Sequence, residues 1–516
     1  MTIKRTVDET ANVTLLYTDA SNTLTTTTSN AAVGFMPVIA RKGEPNKLHK
    51  LNADNWEQAH GKPFHSREGV HAESLRHLAD AVQGGTVYTI RVMPSDAKMP
   101  VLRIGAKDGS SNKPTTTTIS YGNEPVLQDS DVMAIYMIDG DNELERKVKI
   151  ETVDQDEYGK GFYAITLTET NEDSEVTVLE RIIVSLNPNA KGVDNKPAFI
   201  EDKLIQVSKR LRAVVNMAKL SEFTALDETK FDGGTSGTYS GIGPAEYEKA
   251  IKLFKSQKAR IDVVMAGGCY IDAVLKSMKE LADSFNVDFI YDVEPNLSFD
   301  DAAKRNVSLA MNSEYASAYH FPFKANDPFY GGHAIWGLSG FVFAALAKGV
   351  SLKAPTGGWH YTPAGEERAT INRSGIVMLE NAGELDEPEF VKARLNKLGV
   401  NTAGQWMIDD ALTTRIKQDD LRFKNIATVS HKIGRDFVDI ANKLKHSPDE
   451  ETKSGLSRLL KRMFEGFVSS SCLVGDTPYT FSFKQIEKDL WQVEWEINVS
   501  GSMRRTVGKP ALMATA

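Results

Sequence analysis

The chain has 516 residues, with 61 basic and 69 acidic side chains and a formal net charge of −8. That length exceeds one hydrophobic core and predicts roughly two to four domains, and the mild acidic balance argues against a nucleic-acid binder, which would carry a basic face. A hydrophobic content of 41% suits a folded chain, and Cys269 and Cys472 show no Cys-x2-Cys spacing or pairing framework, which fits a reducing compartment or indifference to redox.

The first residues, Met1-Thr-Ile-Lys-Arg5, run into Thr-rich polar sequence without the apolar stretch of a secretory signal. Residues 1–30 read as an arm. Within it Val13, Leu15 and Tyr17 alternate with Thr14, Leu16 and Thr18 in a strand-prone run. A lone strand cannot satisfy its own backbone, so it needs a sheet to join. Residues 31–94 read as the first part of an α/β core. They hold a buried strand over 31–39, a break at Lys42-Gly-Glu-Pro45, a helix over 72–82 ended by Gly84-Gly85, and a strand over 86–93. From 95 to 186 short β-type runs alternate with polar turns, the pattern of an inserted all-β outer domain.

The core resumes over 187–385, with a helix expected over 201–218 and a Gly-rich loop over 233–243. Residues 261–323 read as strand, helix, strand, helix, strand, the signature of a parallel sheet between helical layers. Ligands of such sheets bind at strand C-terminal ends, which here offer Ala266-Gly-Gly-Cys-Tyr270, Asp292-Val-Glu294 and His320-Phe-Pro322, no recognisable active site. The most apolar window, residues 335–347, is too short to cross a bilayer and reads as a buried helix. Residues 386–501 read as an α+β domain with helices over 388–398, 419–444 and 454–468, then strands over 479–483 and 490–499. In the last strand Trp491, Val493, Trp495, Ile497 and Val499 share one face, opposite Gln492, Glu494, Glu496 and Asn498. The tail after Val499 shows no internal partner, and residues 502–516 read as a second arm.

Motifs for chemistry are weak. The loop at 233–243 lacks the Gly-Lys-Ser/Thr ending of a phosphate loop. Asp154-Gln-Asp-Glu-Tyr-Gly159 begins like a calcium loop, but its twelfth position is Ile165 rather than Glu. His60, His65, His71 and His77 lack a His-x3-His spacing. No Gly-x-Ser-x-Gly elbow occurs. No catalytic, cofactor-binding or metal-binding residue is assigned, and no cofactor is expected. On the helix over 454–468, Arg458, Lys461 and Arg462 are either a solvated face or a docking surface for an acidic partner.

An ordered series of segments resembles the contractile tail sheath proteins of tailed bacteriophages and related injection particles. Residues 31–46 (Ala-Ala-Val-Gly-Phe-Met-Pro-Val-Ile-Ala-Arg-Lys-Gly-Glu-Pro-Asn) resemble the family's opening strand and turn. Gly84-Gly85 with Tyr88-Thr-Ile-Arg-Val92, Pro197-Ala-Phe-Ile-Glu-Asp202, Tyr291-Asp-Val-Glu-Pro295, Leu395-Asn-Lys-Leu-Gly-Val-Asn401 and Asp420-Leu-Arg-Phe-Lys-Asn-Ile426 follow in the family's order. The family's usual Arg-Thr triplet before the last of these is not cleanly present, residues 409–415 standing in its place.

The resemblance implies a three-layer α/β core with an inserted all-β domain and a C-terminal assembly domain whose terminal strands are exchanged between subunits. It implies six-fold rings of the chain stacked around a tail tube, with baseplate and tail terminator proteins as further partners. It also implies residence in a virion tail assembled in the host cytoplasm, with no direct nucleic-acid contact and no membrane insertion. Strand exchange would fall to Val13, Leu15, Tyr17, Trp491, Val493, Trp495, Ile497 and Val499, and tube docking to Arg458, Lys461 and Arg462. The alternatives are an α/β hydrolase or transferase with an added β domain, which needs a nucleophile the sequence does not reveal, and a static tube or baseplate component.

Overall fold

The computed structural model describes residues 31–108, 111–140, 145–170 and 174–504. The expected arm with Val13, Leu15 and Tyr17, and residues 505–516, lie outside them.

The core is a seven-stranded sheet in the spatial order Leu395–Asn396, Ala316–Tyr319, Asp288–Asp292, Val263–Met265, Val33–Val38, Thr86–Arg91, Leu48–Leu51. Six strands run parallel and Leu48–Leu51 closes one edge antiparallel. Its inner strands are buried at every position rather than alternating, as a sheet covered on both faces requires. Successive residues show the two layers. Phe35 stacks on Phe254 of the helix Pro244–Gln257, ring centroids 3.9 Å apart, whereas a Cβ on its neighbour Gly34 would press on Phe343 of the helix Ser339–Ser351. That helix is the apolar window of the sequence, and it packs against Ser74–Ala81. A Cβ on Gly340 would collide with the His77 carbonyl, so glycine sets how closely the two helices approach.

The outer lobe is a sandwich of two four-stranded sheets. One runs Leu211–Val215, Asp131–Met137, Lys98–Asp108, Ser111–Ser120; the other runs Leu226–Lys230, Glu145–Thr152, Phe162–Thr170, Val176–Ser185. Leu102, Ile135, Ile150 and Ile165 share its buried core. Strands 211–215 and 226–230 fall within the range expected for the resumed α/β core, yet they belong to these sheets. The helix expected over 201–218 is therefore corrected: it spans only Ile200–Val207. The Ser208 hydroxyl accepts from the backbone N–H of Arg210 and Leu211, at 3.2 and 2.8 Å. Such side-chain bonds compete with helical ones, and Leu211, Ala213 and Val215 then turn inward as a strand. The lobe is tied to the core by Arg91, 2% exposed, which donates to the carbonyls of Ala40, Arg41, Gly43, Asp139 and Gly140.

A second correction falls at 388–398. The helix there covers only Glu387–Lys392. Arg394 takes a left-handed φ of 65°, and Leu395–Asn396 then joins the edge of the core sheet. Asn396 Nδ2 donates to Ala318 O and Leu412 O, and its Oδ1 accepts from Leu412 N. Two helices, Lys424–Leu444 and Asp449–Ser469, complete the chain with a terminal hairpin, Tyr479–Glu487 and Leu490–Ile497. No helix among the described residues is long and apolar enough to cross a membrane.

Candidate assembly surface

The C-terminal helices are fixed to the sheet by a buried ionic cluster. Asp288, 1% exposed, opens a central strand. Lys424 Nζ lies 3.0 Å and His431 Nδ1 2.7 Å from its carboxylate, and Thr428 Oγ1 donates to it at 2.5 Å. Burial by itself would push the Asp288 carboxyl up, yet Lys424 and His431 hold it well below the usual carboxylate range. Burial lowers Lys424 and His431 from their ordinary values. Arg435 adds an ion pair to Asp262 at 2.8 Å and a bond to Asn286 O.

On this base sits the hairpin. Its strands pair from Tyr479↔Ile497 to Glu487↔Leu490, with an irregularity near Gln485. Residues alternate between half-buried and exposed over Tyr479–Lys484 and along Leu490–Ile497, while residues 485–487 at the turn are all exposed. Tyr479, Phe481, Phe483, Trp491, Val493, Trp495 and Ile497 pack on the core side, and the polar set between them faces solvent. Phe464 of the helix Asp449–Ser469 stacks on Tyr479 and Phe481, centroids 4.8 and 5.7 Å apart, and Phe437 meets Trp495 at 5.1 Å. The shared face expected for Trp491, Val493, Trp495 and Ile497 is present, while Val499 lies past the strand in a bridge to Leu473. The sheet has two strands, and neither outer edge is paired to another strand among the described residues. A two-stranded sheet is marginal alone, and an open edge is a template for another strand.

One expectation fails here. The chain after Val499 does have internal partners. Ser500 N donates to Cys472 O, Asn425 Nδ2 donates to Ser500 O, and Arg504 grips Asp410 through both carboxylate oxygens at 2.9 and 2.5 Å. Asp410 is buried, and an unpaired buried carboxylate is costly, so the chain holds to the body as far as Arg504. On the helix Asp449–Ser469, Leu456, Leu460, Phe464 and Phe467 are buried, and Arg458, Lys461 and Arg462 are exposed. Lys461 lies 3.8 Å from Glu465, while Arg458 and Arg462 have no ion pair among the described residues.

At the sheet's C-terminal ends the fold assembles a cluster that no sequence motif signalled. Ser339 Oγ lies 3.1 Å from His77 Nδ1, and His77 Nε2 lies 3.6 Å from Glu73, whose carboxylate accepts from Tyr270 OH at 2.6 Å. Glu73 and His77 are one helical turn apart, but Ser339 comes from a segment 262 residues away, so no local spacing could have shown the cluster. A cavity of about 520 Å³ lies beside Glu73, Arg76, Tyr270 and Glu294. Ser339 and His77, however, are fully buried. The Asp292 carboxylate accepts from Leu338 N and Ser339 N at 2.6 and 2.8 Å, satisfying donors at the start of the buried helix. Asp292 thus does the work of a helix cap. His60, His65 and His71 are dispersed, with His60 Nε2 2.8 Å from Thr89 Oγ1. Among the described residues no group of three or more His, Cys, Asp or Glu side chains could hold a metal.

A parallel α/β core, an outer β sandwich and a helical C-terminal region ending in a two-stranded hairpin together define the architecture. No family model matches the sequence, and no curated protein matches it. Solved structures do. The sheath tail protein from Desulfitobacterium hafniense superposes with a TM-score of 0.50 at 10% identity, covering 94% of this chain and 100% of that one. The sheath tail protein from Listeria innocua gives a TM-score of 0.52 at 10% identity, covering 90% and 94%. This chain has the sheath tail protein fold over nearly its whole length.

Proposed function

We propose that this chain is the repeating subunit of a contractile tail sheath. In this reading copies stack as six-fold rings around a tail tube, meet baseplate and terminator proteins at the two ends, and shorten from a metastable extended lattice. The observation that carries the proposal is the terminal hairpin. Its apolar face is already packed on its own helices, yet neither of its edges is paired to another strand among the described residues. Trp491, Val493, Trp495, Ile497 and Val499 would hold the acceptor sheet in place, and the arm strand with Val13, Leu15 and Tyr17 would be its donor from a neighbouring copy. Strand addition works through main-chain hydrogen bonds, each contributing about 1 kcal/mol net. Several per arm would keep subunits joined while their bodies rotate. The energy of shortening would be stored at assembly in a bistable interface, without a nucleotide or a catalytic residue. The exposed Arg458, Lys461 and Arg462 would face an acidic tube surface.

Negative-stain microscopy of the purified chain tests the reading. Striated tubes are expected from the full chain. Deleting residues 1–20 should leave a folded monomer that grows no ordered tubes, and regular tubes from the deletion would refute the arm's role.

A further inference from the structure

The outer lobe carries a groove at one edge of its sandwich and an apolar knob on the outer face of its first sheet. The groove encloses about 500 Å³ and is walled by Tyr158, Phe162, Ile182 and Val207, with Val193 on its rim. Val193 and Val207 are 86% and 49% exposed, so this apolar surface has no cover among the described residues. The groove lies along Val176–Ser185, the last strand of its sheet, and the neighbouring helix Ile200–Val207. Glu180 there is taken by Ser208 and by Arg210, the latter at 3.1 Å, and Asp194 is taken by Lys203 at 3.6 Å. Arg181 is exposed and has no ion pair among the described residues.

The knob is Val126, 83% exposed. Its carbonyl accepts from Arg103 Nη2 at 2.8 Å, and Arg103 is held in turn by Asp131 at 2.5 Å. Leu127 beside it packs on the lobe. The side chain is therefore displayed on a pinned backbone, and docking it costs little further ordering. Exposed Glu124 and Asp129 flank it. The loop joins Ser111–Ser120 to Asp131–Met137 across the outer face of that sheet, where Leu127 packs with Met99, Val101 and Tyr136. The groove lies at the edge of the sandwich where the helix Ile200–Val207 bridges the end strands Leu211–Val215 and Val176–Ser185. No residue of the knob loop lines the groove, and the pinned loop cannot carry Val126 there, so the two can meet only between copies.

We propose that Val126 of one copy seats in the groove of a second copy, with Glu124 facing Arg181. An apolar projection that fits a pocket elsewhere on the same molecule makes a heterologous contact, which repeats into rings or helices. The inference rests on reading the chain as a polymer-forming subunit, and adds where its outer lobes touch.

The test is tube growth from the full chain, followed by sedimentation and microscopy, for wild type, Val126→Asp, Val207→Asp, Glu124→Arg, Arg181→Glu and the E124R/R181E pair. Either aspartate is expected to raise the threshold concentration for growth about tenfold or more. Each single charge reversal should weaken growth, and the pair should restore it. Val126 is on the surface, so an unchanged circular dichroism spectrum for Val126→Asp separates lost contact from lost fold. Wild-type thresholds for both aspartate variants would overturn the contact. So would groove variants that fail beside knob variants that do not, since another occupant would then fill the groove. A wild-type chain that never polymerises would overturn the assembly reading and this contact with it.

Discussion

Asp288 meets Lys424, Thr428 and His431, three side chains at helical spacing on one face of the helix Lys424–Leu444. The spacing is visible in the sequence, but the partner lies well over a hundred residues away, so neither the lysine nor the histidine reads as buried until the sheet is built. Removing one partner of a buried ion pair leaves an uncompensated charge, which costs about 3–5 kcal/mol. Lys424→Met should lower stability by that order in urea titration, and adding Asp288→Leu should recover most of the loss, because both charges are then gone. A double variant as unstable as the single one would show that the pair matters through packing. Arg91 and Ser208 teach the same lesson. Arg91 looks like an ordinary strand residue, yet it satisfies five carbonyls at the joint between core and lobe. Ser208 looks like a helix interior position, yet its hydroxyl ends the helix.

The terminal hairpin was the most legible element, because strict alternation of Trp, Val and Ile with Gln and Glu specifies one wet and one dry face. What covers the dry face was not legible, since Phe464 and Phe437 reach it from helices. Phe464 is fully buried, and Phe464→Ala should cost about 3–5 kcal/mol. The hairpin over 479–497 should also become the first site of limited proteolysis, whereas uniform resistance would mean that the hairpin does not depend on this stacking. On the same helix, reversing the charge of Arg458, Lys461 and Arg462 together should leave stability within about 0.5 kcal/mol, since exposed positions contribute little. In the proposed assembly it should abolish co-sedimentation with the tube. Unchanged co-sedimentation would assign those residues to a solvated face.

Across the whole molecule, several histidines are buried where protonation is unfavourable. Burial lowers His60 to about 3 and His320 to about 4, and lowers His49 and His431 from their ordinary values. A group whose folded pKa is depressed contributes its stability above its unfolded value, near 6.5 for histidine, and loses it as pH falls toward the folded value. Between about pH 6 and pH 4, His60 and His320 together should therefore remove roughly 3 kcal/mol per pH unit. Denaturation midpoints should be flat from pH 8 to pH 7 and fall steeply below pH 6. A midpoint unchanged at pH 5 would mean that these rings reach solvent in the folded state.

Local pattern alone determined the alternating strands and helices of residues 261–323, the buried helix near 339–351, the β-rich texture of the outer lobe and the two-faced final strand. Each of these is a periodicity that burial imposes on neighbouring residues. Only the tertiary structure decided that strands 211–215 and 226–230 belong to the outer lobe, that Leu395–Asn396 closes the core sheet, and that the chain is clamped to Asp410 as far as Arg504. It alone brought Ser339 onto the neighbouring His77 and Glu73 and buried all three. Those outcomes depend on pairing between segments far apart in the chain, where main-chain hydrogen bonding and burial choose a partner that no local spacing encodes.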